Sequence, residues 1–147
     1  MAVKGNQAVL VIASENHPSA FVSELLGREP TDAHEIGDPR GIPAAQRHPE
    51  SKAPTHYARS AWTLMFNVSE DADDPDGTAS LRMLIDAIGG KAELLAQLRP
   101  RYETIIRWSG FSDSTQGGFV IDAGLFPALA ALGCDLYGTV YLDGPET

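Results

Sequence analysis

From Ala8 to Ala13 every position is apolar, and this unbroken run predicts a central strand buried on both faces. After the Asn16-His17-Pro18 turn, Phe21, Val22, Leu25 and Leu26 repeat at helical spacing. Pro18 suits a first helical turn and Gly27 a left-handed C-terminal position, so a short amphipathic helix is expected there. Strict alternation appears at Trp62, Leu64, Phe66 and Val68 against Thr63, Met65 and Asn67, the pattern of a strand with one buried face. Between 28 and 60 no period is sustained, and Pro30, Pro39, Pro43, Pro49 and Pro54 interrupt both helix and ladder. A long irregular loop is expected, of the kind that usually carries function.

Beyond the acidic run Glu70, Asp71, Asp73, Asp74 and Asp76, Thr78 is placed as an N-cap, and Leu81, Leu84, Ile85 and Ile88 form a helical stripe ending at Gly89-Gly90. Leu94, Leu95 and Leu98 continue in a second short helix closed by Pro100. Tyr102, Thr104, Ile106 and Trp108 alternate with Glu103, Ile105 and Arg107 as a third strand, with Phe119 to Ile121 as a short fourth. Asp122 can cap a last helix bearing Leu125, Phe126, Leu129 and Leu132, stopped by Gly133, and Leu136 to Leu142 alternate as a final strand. The fold class expected is α+β: a mainly antiparallel sheet of about five strands with helices on one face. Two arms, 8–68 and 102–142, around a helical insert suggest a ferredoxin-like core.

Composition narrows the class. The chain of 147 residues, 43% hydrophobic and 21% charged, is read as one globular domain over 1–147 that needs no metal or disulfide to fold. Its single cysteine, Cys134, excludes an intrachain disulfide. The N-terminus runs straight into a strand, and no apolar stretch is long enough to span a bilayer, so a cytoplasmic location is expected. A net charge of −9 argues against nucleic acid and anionic membranes, which require clustered Lys and Arg. Residues 28–60 hold five basic and five acidic side chains, whereas the remainder holds 6 and 15. The excess therefore lies on the regular part of the domain, where a basic protein partner would meet it.

Ser23-Glu24-Leu25-Leu26-Gly27-Arg28-Glu29-Pro30-Thr31 followed by Ile36-Gly37-Asp38-Pro39-Arg40 resembles the "LLG-x-x-PT … GDPR" signature of the bacterial domain-of-unknown-function family 4279. Ala61-Trp62-Thr63-Leu64, Gly117 to Ile121 and Leu129 to Leu136 agree with its later stretches in the same order. The loop 40–60 is longer than the family pattern, and Tyr137-Gly138-Thr139-Val140-Tyr141 replaces its usual "D-x-Y" ending. The resemblance implies a small α+β domain and no reaction. Some relatives look like members of toxin–immunity gene neighbourhoods.

Several side chains invite chemistry. His34, His48 and His56 lie in the irregular loop near Asp32, Glu35, Asp38 and Glu50, donors that suit a divalent ion, but no H-E-x-x-H spacing is present and His17 stands apart. The run from Asp71 fails as a calcium loop, since position five is Pro75 and position twelve Arg82. Gly37-Asp38-Pro39-Arg40 reads first as a tight turn, with Arg40 as a candidate anion anchor beside Thr31 or Arg28. Cys134, after a helix-stop glycine with nothing basic next to it, reads as a small buried hydrophobe. Trp62 and Trp108 fall on the apolar phase of their strands, and Tyr137 and Tyr141 on the opposite phase to Leu136 and Val140, facing solvent or a partner.

No nucleophile elbow, Walker loop, dinucleotide fingerprint or Cys-x-x-Cys occurs. The reading favoured is a non-enzymatic protein-binding module, immunity-like and acidic, with no cofactor and no metal. Its candidate contact residues are Thr31, His34, Asp38, Arg40, His56, Tyr137 and Tyr141. The alternative is an enzyme or a small-ligand or metal-binding protein built on the 28–60 loop.

Overall fold

A computed structural model of the chain describes residues 3–40 and 55–142. The elements are β1 (Lys4–Ser14), α1 (Ser19–Leu26), β2 (Asp32–His34), β3 (Ser60–Val68), α2 (Ala79–Ile88), α3 (Ala92–Leu98), β4 (Glu103–Ser112), α4 (Leu125–Leu132) and β5 (Asp135–Leu142), with a 3-10 turn at Gly89–Lys91 joining α2 to α3. They build one five-stranded sheet in the order β2-β3-β1-β4-β5. β1 pairs antiparallel with β3 and with β4, β2 antiparallel with β3, and β5 parallel with β4.

This is the expected α+β architecture with its arms drawn differently. β1-α1-β2 and β3-α2-α3-β4 are the two split βαβ arms of a ferredoxin-like core, each with a strand of the other arm between its own parallel strands. The helices expected as an insert are the second crossover. The unit α4-β5 is an addition that lengthens the sheet beyond β4.

Two expectations fail for local reasons. β2 is polar, Asp32-Ala33-His34, and exists because its backbone pairs with Ala61 to Thr63 of β3, so no apolar alternation announces it. Phe119 to Ile121 form no strand. Their backbone bonds go out singly, Val120 N–H to the Asp76 carbonyl at 2.8 Å and the Thr78 hydroxyl to the Val120 carbonyl at 2.8 Å, while the Phe119 ring lies 4.6 Å from that of Trp108. The apolar triplet is a lid over the core edge.

The core lies on one face only. Ala8, Leu10 and Ile12 of β1, Trp62 and Leu64 of β3 and Ile106 and Trp108 of β4 are buried with Val22, Leu84, Ile88, Leu95, Leu98 and Leu132 from the helices. Val9 and Val11 are only partly buried, as are Thr63, Met65 and Ile105 on the same side. β1 is thus not buried on both faces, because α1, α2, α3 and α4 all contribute to the one core. Burial of each large aliphatic side chain on the covered face contributes about 1.5–3 kcal/mol. Among the described residues no helix is long and apolar enough to cross a membrane.

Helix starts are held by carboxylates from elsewhere in the chain. Thr78 occupies the N-cap position of α2 but its side chain makes no cap bond. Asp74 does the work instead: its Oδ2 accepts from Ala79 N–H at 3.1 Å and from Asn6 Nδ2 at 2.7 Å. The Oδ1 of the buried Asn6 accepts from the Ser80 N–H at 3.1 Å and from the Ser80 hydroxyl. Asp122 does not cap α4, whose N-cap position is Gly124.

Close approach at Gly110 provides a test of this packing. A Cβ there would enter the space of the Val3 side chain and come within 2.8 Å of the Trp108 ring, whereas one on the exposed Gly118 meets nothing within 4 Å. Gly110→Ala is expected to cost about 1–3 kcal/mol in urea unfolding and Gly118→Ala to stay within about 0.5 kcal/mol of the parent. Equal midpoints for the two variants would show that this contact does not constrain the core.

Candidate functional site

The described parts of the 28–60 segment spend most of their polar groups on the fold. Thr31 donates its N–H to the Thr63 carbonyl at 2.8 Å, and its hydroxyl accepts from Met65 N–H at 2.9 Å. Asp38 Oδ2 accepts from Glu35 N–H at 2.7 Å, closing a turn in which Gly37 takes φ 88°, a conformation natural to glycine. Gly37 N–H and Arg40 N–H reach the carbonyls of Tyr57 and Thr55, and Pro39 forms a bridge with His56. The Glu35 carboxylate in turn receives Ser19 N–H at 2.5 Å and Ala20 N–H at 3.2 Å, so this turn caps the start of α1.

His34 and Arg40 are brought together by a residue that sequence reasoning passed over. The Tyr57 ring stacks on His34 at 3.5 Å between centroids, and the Arg40 guanidinium lies 5.6 Å from the Tyr57 centroid. His56 stands apart from this stack, its Nδ1 2.8 Å from the Thr55 hydroxyl. His48 and Glu50 fall outside the described residues. Among the described residues no three His, Cys, Asp or Glu side chains could hold a metal ion together.

A second grouping lies on the uncovered face of the sheet, at the end where β1 begins and β3 and β4 finish. The register places Asn6 beside Val68 and Lys4 beside Phe111, which gathers the loops after β3 and β4 around one corner. Three carboxylates of these loops have partners: Asp113 with Lys4 at 2.9 Å, and, at the start of α2, Asp76 with Arg82 at 2.7 Å and Asp74 within the cap. The hydrogen bond from Lys4 holds the Asp113 carboxyl below the ordinary carboxylate value, and the same bond raises the Lys4 ammonium. Glu70, Asp71 and Asp73 are exposed and enter no ion pair among the described residues. Beside Glu70 opens a groove of about 580 Å³, with Gly5, Gln7, Asn67, Glu70, Ser109 and Phe111 among its lining residues.

Tyr137 and Tyr141 stand in register with Arg107 and Phe111 on this same uncovered face and are exposed, as their phase predicts. The Tyr141 ring lies 5.7 Å from that of Phe111. Phe111 escapes a sequence reading because the alternation weakens after Trp108, while the strand runs on to Ser112. Cys134 is half-buried, and burial raises its thiol above the ordinary cysteine value, with Asp135 adding to the rise and Thr104 and Arg99 opposing it.

The topology and this uncovered face define the class: an α+β domain with a ferredoxin-like core and an added parallel edge strand. The family described as domain of unknown function (DUF4279) matches residues 3–143, and the chain belongs to it. No curated protein matches the chain, and no solved structure does.

Two outcomes follow from the site's chemistry. Glu35→Ala removes the carboxylate under α1 and is expected to lower stability by about 1 kcal/mol, whereas Glu29→Ala at an exposed position is expected to change it by less than about 0.5 kcal/mol; paired urea titrations compare them. Cys134 is expected to react with iodoacetamide at pH 7.5 several-fold more slowly than a free cysteine peptide, because less of it is thiolate. Equal alkylation rates would contradict the burial of that thiol.

Proposed function

We propose that this protein is a non-enzymatic, cytosolic binding module that receives a basic segment of a protein partner at the acidic corner of its uncovered sheet face. The observation that carries this reading is the groove of about 580 Å³ that joins an exposed aromatic ring, Phe111, to an exposed carboxylate, Glu70, with Asp71 and Asp73 following in the same loop. A lysine or arginine can lay its aliphatic stem along an aromatic ring while its charged head meets carboxylates. The chain's net charge of −9 adds long-range attraction that speeds encounter with such a partner. The immunity-like role suggested by the resemblance fits the same chemistry, since a binding protein of that kind needs complementarity and no reaction.

Charge reversal at the corner tests this. A partner captured by the wild-type protein is expected to bind the Glu70→Lys/Asp71→Lys/Asp73→Lys variant at least tenfold more weakly, and to leave the wild type as salt rises from about 50 to about 300 mM. Circular dichroism of the variant should match the wild type, as all three positions are exposed. A partner that ignores both the substitutions and the salt would remove the basis for the proposal.

A further inference from the structure

The unit added to the ferredoxin-like core is apolar where it should be polar. Helix α4, Leu-Phe-Pro-Ala-Leu-Ala-Ala-Leu, contains no polar side chain, yet only Leu132 is fully buried. A helix apolar all round is ordinarily buried all round. β5 is exposed along nearly its whole length, with Tyr137 at 60%, Tyr141 at 53% and Leu142 at 62% of full exposure. Its outer edge carries no partner strand among the described residues. From Leu125 to Leu142 the only charged residue is Asp135. Folded proteins protect long edge strands with charge, proline or a cover, and among the described residues β5 has only Asp135, at its first position.

We infer that β5 pairs antiparallel with β5 of a second copy across a two-fold axis at Thr139, joining two sheets into one and packing α4 against its own copy. The sequence of β5 is complementary to itself in this register. Thr139 meets Thr139, Tyr137 meets Tyr141, Gly138 meets Val140 and Leu136 meets Leu142, with every pair on a common face. Because Phe111 and Arg107 lie in register with Tyr141 and Tyr137 within each copy, the pairing creates two rows that run Phe111, Tyr141, then Tyr137 and Arg107 of the other copy. Aromatic pairs and Thr–Thr pairs are among the favourable cross-strand neighbours.

Area and charge both select a second copy. Phe111, Phe119, Phe126, Tyr137 and Tyr141 are each roughly half exposed and offer about 100 Å² apiece. With Leu136, Val140 and Leu142 the total approaches ~700 Å² for each chain, close to the share each partner contributes to a standard stable interface. Two chains of charge −9 repel, and the α4–β5 side is the part of each where that repulsion is least. A two-fold contact uses the same patch twice and closes on itself. Phe111 borders both this contact and the groove, but Glu70, Asp71 and Asp73 follow β3, which β1 and β4 separate from β5, so the inference does not rest on the binding role proposed above.

Sedimentation equilibrium of the full chain is expected to give a dimer at micromolar concentration, twice the chain mass of 15.7 kDa. Thr139→Lys sets two ammonium groups against each other on the axis and is expected to weaken the dimer at least about thirty-fold. In a Cys134→Ser background, Thr139→Cys places two thiols on strands whose facing Cα atoms lie about 4.5–5.5 Å apart, within disulfide reach, so mild oxidation should yield a covalent dimer. Ala33→Cys, on the opposite edge strand, should not cross-link in the same background. Should the lysine variant fail to fold, the cross-link alone decides. A monomer at about 100 µM, a dimer that Thr139→Lys leaves intact, or a β5 edge that accepts only a foreign strand would each overturn the inference.

Discussion

Because β1 lies between β3 and β4 and turns Ala8, Leu10 and Ile12 into the helical layer while Val9 and Val11 remain half-buried, the whole domain is organised around a sheet covered on one side. Every helix serves that single covered face. The apolar stripes of α1, α2 and α3 meet there, and Asn6, at the start of the same strand, ties Asp74 and Ser80 so that α2 begins in a fixed place. What is left over, the uncovered face and the last edge, is where the molecule has surface to offer.

Much of this was readable from the residues. The helical stripe at Leu81, Leu84, Ile85 and Ile88 and the alternation at Trp62 and Leu64 each point to one buried side, and burial follows them. β2 could not be read, since a three-residue polar strand owes its existence to the partner it pairs with. Phe119 to Ile121 misled in the opposite sense: side-chain hydrophobicity marks where a segment packs, while ladder pairing depends on a neighbouring strand in register. Without β2 the two arms could not be assigned, although the ferredoxin-like character was visible in the order of helices and strands.

The candidate site divides in the same way. Local turn chemistry in Gly37-Asp38-Pro39-Arg40 and the outward phase of Tyr137 and Tyr141 depend on near neighbours in sequence. The approach of Glu70 to Gln7, Ser109 and Phe111 depends on strand register across three strands, and the cap that Glu35 provides for Ser19 depends on the path of an irregular segment. Neither leaves a periodic trace. Placing Tyr57 against both His34 and Arg40 likewise required two stretches separated by the long loop to come side by side.

The order in which the strands leave the ribosome has its own consequence. β1 emerges first but sits in the middle of the sheet, so it must wait for β4, about a hundred positions later, before both its edges are satisfied. Contacts so distant in sequence close slowly. During synthesis β1 therefore keeps one apolar edge unpaired until β4 has been made, and the α4-β5 unit follows only after the rest of the sheet can already be complete. Chaperone dependence in this fold would fall on β1, and any assembly through β5 would await synthesis of the whole domain.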